Sequence, residues 1–193
     1  VGKIVLRAAM NMSRLATKKG EPVRVVGACS GIGTMEEAIE QETQGRWQAV
    51  HMAEKGEEQR RILVAAWGKR GVTKADISHD AYGEQFLRDA PACDIFHVEP
   101  ECGKYSRQSQ THMAAALEET DKVRSVMRYA ALHRPAIIIM ENAADLLGNG
   151  RMRECGVRIE KHLKEALPDY IWRAQIVDPR THAGVPMARE RAF

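Results

Sequence analysis

Residues 23–41 read VRVVGACSGIGTMEEAIEQ. Val23 to Gly27 is a short apolar run of strand length, rich in β-branched valine. Glycines at 27, 31 and 33 follow, which allow a tight turn and a close approach of backbone to a ligand. From Met35 to Gln41 the pattern becomes that of an amphipathic helix. Thr34, with Glu37 three residues later, matches a capping box and sets a helix start directly after the turn. Strand, glycine-rich turn and helix make one βα unit.

The same alternation recurs along the chain. Apolar runs lie at Trp47 to Ala53, Ala75 to Ile77, Ile95 to Val98, Ala136 to Met140 and Tyr170 to Val177. Amphipathic stretches separate them at Glu57 to Trp67, Tyr82 to Ala90, His112 to His133 and Met152 to Ala166. Pro135 and Pro168 stand where a helix must end before a strand. A further amphipathic helix, Gly2 to Lys18, precedes the first strand. The expectation is an α/β fold, doubly wound, with a mostly parallel sheet.

In such folds ligands bind beyond the carboxyl ends of the strands, and those ends carry the chemistry. The first strand runs into Cys29-Ser30-Gly31-Ile32-Gly33, a turn that opens onto a helix N-terminus and suits a bound ligand. It lacks the third glycine of the dinucleotide fingerprint, which argues against a nicotinamide dehydrogenase. Glu54 lies about 20 positions beyond Gly33, the separation at which an acidic residue accepts ribose hydroxyls. Asp76 flanks the third strand, either toward a ligand or as an ordinary turn residue. The fourth strand leads into Glu99-Pro100-Glu101-Cys102, with Lys104 and Arg107 nearby to favour a thiolate. The fifth leads into Glu141-Asn142; a carboxyl leaving so apolar a strand is expected to be partly desolvated and able to protonate a ring nitrogen. Arg189 and Arg191, two apart, sit on one side of an extended segment and suit an anion.

Composition bounds the rest. With 29 Lys plus Arg against 26 Asp plus Glu, the net charge is +3, too mild to indicate a nucleic-acid partner by itself. No apolar run approaches the ~18 residues of a membrane span, and the first residues lack a signal-peptide pattern. Cysteines at 29, 93, 102 and 155 show no C-x-x-C spacing, so no metal site and no disulfide framework is expected, and a reducing intracellular compartment fits, whether nuclear or cytoplasmic. The chain opens on Val1 and stops at Phe193 where another apolar stretch begins, so residues 1–193 read as one catalytic domain cut from something longer.

In order, these pieces resemble the cytosine-5 DNA methyltransferase family. VVGACSGIGTMEEAI looks like its first motif, EPECGKYS its nucleophile loop, IIIMENAADLL its Glu-Asn motif, and VDPRTHAGVPMARERAF its Gly-Val-Pro-Gln-x-Arg-x-Arg segment. The resemblance covers roughly Val23 to Phe193, leaving residues 1–20 outside. It implies a Rossmann-like methyltransferase fold, with S-adenosyl-L-methionine at Cys29, Ser30, Gly31, Ile32, Gly33, Glu54, Asp76, Ile77 and Pro100. It also implies Cys102 as nucleophile with Ser106 as its loop partner, Glu141 on the cytosine ring, and Arg189 and Arg191 in the pocket. The implied activity is transfer of a methyl group to carbon 5 of a cytosine flipped out of DNA. Four departures stand out. Gly27 replaces an acidic residue, Glu99 and Glu101 flank the nucleophile in place of glycine and proline, and Met187 replaces glutamine. No target-recognition region follows, so a recognition domain or subunit would be a separate partner. A non-catalytic methyltransferase-like module and an RNA cytosine methyltransferase are the alternatives.

Overall fold

Val25, Val26 and Ala28 are fully buried, the near-continuous burial of a strand covered on both faces. They belong to β1 (Val23–Ala28). β2 (Trp47–Ala53) pairs parallel with β1 from Val23↔Trp47 to Ala28↔Ala53. β4 (Ile95–Val98) pairs parallel on the other side, from Val25↔Ile95 to Ala28↔Val98. β3 (Ile77–Ser78) extends the sheet beyond β2, again parallel, and β5 (Ile137–Met140) lies beyond β4, giving the order β3-β2-β1-β4-β5. The chain therefore winds outward to β3 and returns to β4, so the order reverses between β1 and β4. That crevice is the topological switch point of a doubly wound sheet.

The computed structural model describes residues 2–13, 20–72, 77–78, 81–105, 113–148, 152–183 and 190–193. Asp76, Ser106, Arg107, Met187 and Arg189 lie outside them. The chain divides into two units. The first, residues 2–99 with 133–139, holds the parallel sheet. Its helices are α1 (Gly2–Ser13), α2 (Thr34–Thr43), α3 (Glu57–Trp67) and α4 (Glu84–Asp89). Ile39, Met52, Leu63, Phe86, Ile95 and Phe96 fill its core at 0% exposure. α1 is fastened to α2 by a bidentate Arg7–Glu42 pair, both contacts 2.8 Å.

The second unit, residues 100–132 with 140–193, contains α5 (Met113–His133, all but its last residue) and α6 (Arg153–Ala166). It also holds a small antiparallel sheet of β6 (Asn142–Ala143), β8 (Arg191–Ala192) and β7 (Ile176–Val177) in that order. The short α7 (Pro179–Ala183) follows β7. At Gly156 of α6 any side chain would collide with the Leu146 carbonyl, so the glycine lets the helix close on that turn.

Two expectations are corrected. The run Tyr170 to Val177 is not another parallel strand; only Ile176–Val177 is β structure, antiparallel to β8. Gln175 and Phe193 exchange both backbone hydrogen bonds at 2.9 Å, so the segment is recruited by residues near the end of the sequence. Upstream, Ile171 is 81% exposed and the Tyr170 and Trp172 rings stack at 6.1 Å. The capping box is also absent: Gly33, at φ +89°, is the N-cap and no side chain caps α2. A methyl at Gly33 would collide with Trp67 Nε1. Tertiary packing on a left-handed glycine, rather than a threonine hydroxyl, starts this helix. Among the described residues no helix is long and apolar enough to cross a membrane.

Candidate active site

In the first unit the glycine turn follows β1 directly. Cys29 (φ +58°) and Gly31 (φ +55°) are left-handed, Gly33 N donates to Ser30 O at 3.0 Å, and Ser30 N donates to Ala53 O at 3.2 Å. Ser30 is buried, whereas the space a Gly31 side chain would take is open, with nothing within 4 Å, and Ile32 is 53% exposed. The turn thus presents backbone to an open side, a cradle that a ligand fits. Glu54 is tied into it: Oε2 accepts from Gly31 N and Oε1 from Gly56 N, each at 2.8 Å. Sequence reasoning placed Glu54 beside this turn but not as its brace. Each oxygen keeps a second lone pair, so the carboxylate can still accept ribose hydroxyls. Cys29 donates its thiol to Tyr82 Oη at 3.5 Å, and burial pushes its pKa up to about 11, so it is no nucleophile. Ile77 opens β3 beside Met52.

The second unit gathers the remaining motifs. Glu141 precedes β6, and Arg191 lies in β8, which pairs with β6 at Ala143↔Arg191. Across that pairing Arg191 Nε contacts Glu141 Oε1 at 2.6 Å, with the two side chains 20% and 17% exposed. Two residues assigned separately to the site are therefore one ion pair. The sequence suggested a partly desolvated carboxyl at 141; its side chain is 17% exposed and faces a guanidinium. Asn142 is buried; its Oδ1 accepts from Ala143 N at 2.7 Å, and its Nδ2 donates to Pro100 O at 3.5 Å. That bond ties the loop carrying Cys102 to the Glu141 segment. Cys102 is a half-buried free thiol, and a 3-10 turn (Gly103–Tyr105) follows it, closed by Tyr105 N donating to Cys102 O at 3.0 Å. Cys93 and Cys155 are buried, as inert small hydrophobes should be.

One group escaped the sequence reading. His97, in β4, is wholly buried; its Nε2 is 3.0 Å from Glu36 Oε1 and its Nδ1 3.5 Å from Glu99 Oε1. Burial pulls its pKa down, but the two carboxylates outweigh burial and push it up to about 10. The available signal was a histidine inside the apolar run IFHV, two residues before Glu99.

No protein-family model matches the chain, and no curated protein matches it. Solved structures do. A prophage-encoded E. coli protein assigned as a DNA modification methyltransferase superposes with a TM-score of 0.63 at 12% identity, over 88% of this chain and 45% of that one. S. pombe Dnmt2 methyltransferase gives 0.56 at 16% identity over 89% and 48%. Aeropyrum pernix fibrillarin, in complex with natively bound S-adenosyl-L-methionine, gives 0.54 at 15% identity over 96% and 72%. The chain spans about half the length of the first two. At these identities the likeness establishes the fold, the Rossmann-like α/β fold of methyltransferases.

Proposed function

We propose that this chain is the catalytic segment of a methyltransferase that uses S-adenosyl-L-methionine and methylates carbon 5 of cytosine in DNA. The observation that carries the reading is the Glu141–Arg191 ion pair at 2.6 Å, formed in the unit where Asn142 also holds the Cys102 loop through Pro100. Three motif-like segments, around residues 100, 141 and 191, meet in one unit, as covalent cytosine chemistry requires.

The turn from Cys29 to Gly33, with Glu54, would hold the cofactor, and Asp76 and Ile77 would lie at its adenine. When bound, it supplies a methyl group activated on a sulfonium. Cytosine carbon 5 is a poor nucleophile. Cys102 Sγ, as thiolate, adds to carbon 6 and makes carbon 5 enamine-like. The addition leaves negative charge on nitrogen 3, which takes up a proton from solvent; the Glu141 carboxylate, fixed by Arg191, accepts from that N–H and from the exocyclic amino group, and the proton returns to solvent when the ring is restored. Arg189 and Arg191 hold the base and loop. Loss of the carbon 5 proton to a base and departure of the thiolate restore the ring. The cytosine must leave the helical stack to reach these groups. With a net charge of only +3, sequence-selective DNA binding falls to a recognition domain or subunit.

An oligonucleotide carrying 5-fluorocytosine tests this. Fluorine cannot depart as a proton does, so the Cys102 adduct should persist with cofactor present and disappear in Cys102→Ser. An adduct mapped to Cys29, Cys93 or Cys155 would overturn the assignment. No adduct, with cofactor bound and a recognition partner supplied, would favour a non-catalytic methyltransferase-like module.

A further inference from the structure

The Glu36–His97–Glu99 group serves none of the steps above. Around one imidazole it places two carboxyl groups in a buried setting, one more than the ring needs as a partner. Its polar atoms are not all satisfied: Glu36 Oε2 and Glu99 Oε1 are buried without a hydrogen bond, as is His97 Nδ1. Among the described residues neither glutamate is paired with Lys or Arg. A buried histidine with Glu36 alone would already be neutral as a pair, so packing does not call for a second carboxylate.

Position tells what the surplus faces. Glu99 N donates to Ala28 O at 3.0 Å, which sets Glu99 at the end of β4 beside the end of β1, in the switch-point crevice. Glu36 and His97 side chains are 0% exposed, whereas Glu99 is 17% exposed, so Glu99 is the member that a ligand can reach. The imidazole lies where it does because residue 27 has no side chain: a methyl there would be 2.6 Å from His97 Nε2 and 2.7 Å from Met52 Sδ.

We propose that Glu99, positioned by His97 and Glu36, binds the ammonium group of the ligand held at the glycine turn. This rests on the cofactor reading above, in which that group is the α-ammonium of the methyl donor. Glu99 is the binding residue. His97 is a positioning residue, an internal counter-ion that fixes the Glu99 carboxylate before the ligand arrives.

Calorimetry on the full chain with two ligands separates this from its foundation. S-adenosylhomocysteine carries the ammonium; 5′-methylthioadenosine keeps the nucleoside and thioether but lacks the amino acid group. Glu99→Gln should weaken the first about ten-fold and leave the second within about two-fold, with Glu99→Asp recovering part of the loss. His97→Gln should lower the same selectivity ratio; if it does not fold, Glu99→Gln decides alone. Glu54→Ala, by contrast, should weaken both ligands alike. Equal weakening of both ligands by Glu99→Gln, or of neither, overturns the proposal while leaving the cofactor reading intact. Failure of the wild-type protein to bind either ligand overturns both.

Discussion

Raising the pH from 7 to 9 tests a single buried proton. His97 holds its proton up to about pH 10 against an ordinary value of 6.5, because Glu36 and Glu99 together outweigh the cost of burial. In the unfolded chain the same ring loses its proton near 6.5. Between those values the folded state binds one proton more, so stability falls as pH rises. The contribution is complete below about pH 6.5 and is lost as pH climbs through about 10. One proton corresponds to about 1.4 kcal/mol per pH unit, or about 3 kcal/mol between pH 7 and 9, a large share of the ~5–15 kcal/mol of a typical domain. Cys29 adds a loss of the same sign, since burial pushes its thiol from 9.0 up to about 11, but only above about pH 9. Burial raises the Cys155 thiol from 9.0 as well, so among the described residues with a shifted value the window from 7 to 9 belongs to His97. Urea melts at pH 7, 8 and 9, followed by the fluorescence of Trp47 and Trp67, read the slope. His97→Gln should flatten it and Cys29→Ser should not. Stability that stays level from pH 7 to 9, or a slope surviving in His97→Gln, would mean that His97 does not hold this proton in the folded state.

Gly33→Ala forces a side chain into left-handed backbone and against Trp67 Nε1; it should cost about 1–3 kcal/mol in a urea melt and abolish binding of S-adenosylhomocysteine by calorimetry. Arg191→Ala leaves the half-buried Glu141 without its 2.6 Å partner. The loss should be about 1–2 kcal/mol after allowing for solvent at both side chains, and trapping of 5-fluorocytosine should slow at least ten-fold, whereas Arg191→Lys should recover stability better than trapping because it loses the guanidinium fork.

Elements with a strong local period were legible within a residue or two. β2, α3 and β4 coincide with the apolar runs and amphipathic stretches read from the sequence. What escaped depends on partners far along the chain. The run from Tyr170 looks strand-like throughout, yet only the two residues that find β8 become β structure. Thr34 and Glu37 have capping-box spacing, but the turn before them is set by Trp67 packing at Gly33, more than 30 residues away. Glu141 and Arg191 stand out in the sequence as candidate site residues. Their pairing does not, because periodicity says nothing of a contact spanning 50 positions. Spacing from the glycines makes Glu54 a candidate, while its bond to Gly31 N depends on the folded turn.

Two departures from the methyltransferase resemblance, Gly27 and Glu99, lie against the same ring, His97. The first motif would carry an acidic side chain at position 27, but that volume is occupied by His97 Nε2, Met52 Sδ and Ser30 Oγ. His97 in turn holds Glu99, the residue that replaces glycine in the nucleophile loop. If the substitutions are coupled, Gly27→Ala should cost about 1–3 kcal/mol by overpacking in the wild-type background and distinctly less in His97→Ala, where the ring it strikes is gone. Met52 is flexible and the Ser30 hydroxyl can rotate, so the imidazole, braced by two carboxylates, is the neighbour least able to give way. The double-mutant cycle should therefore return a coupling of about 1 kcal/mol or more, within the range for contacting residues. Additive costs would mean that the imidazole is not what keeps residue 27 free of a side chain.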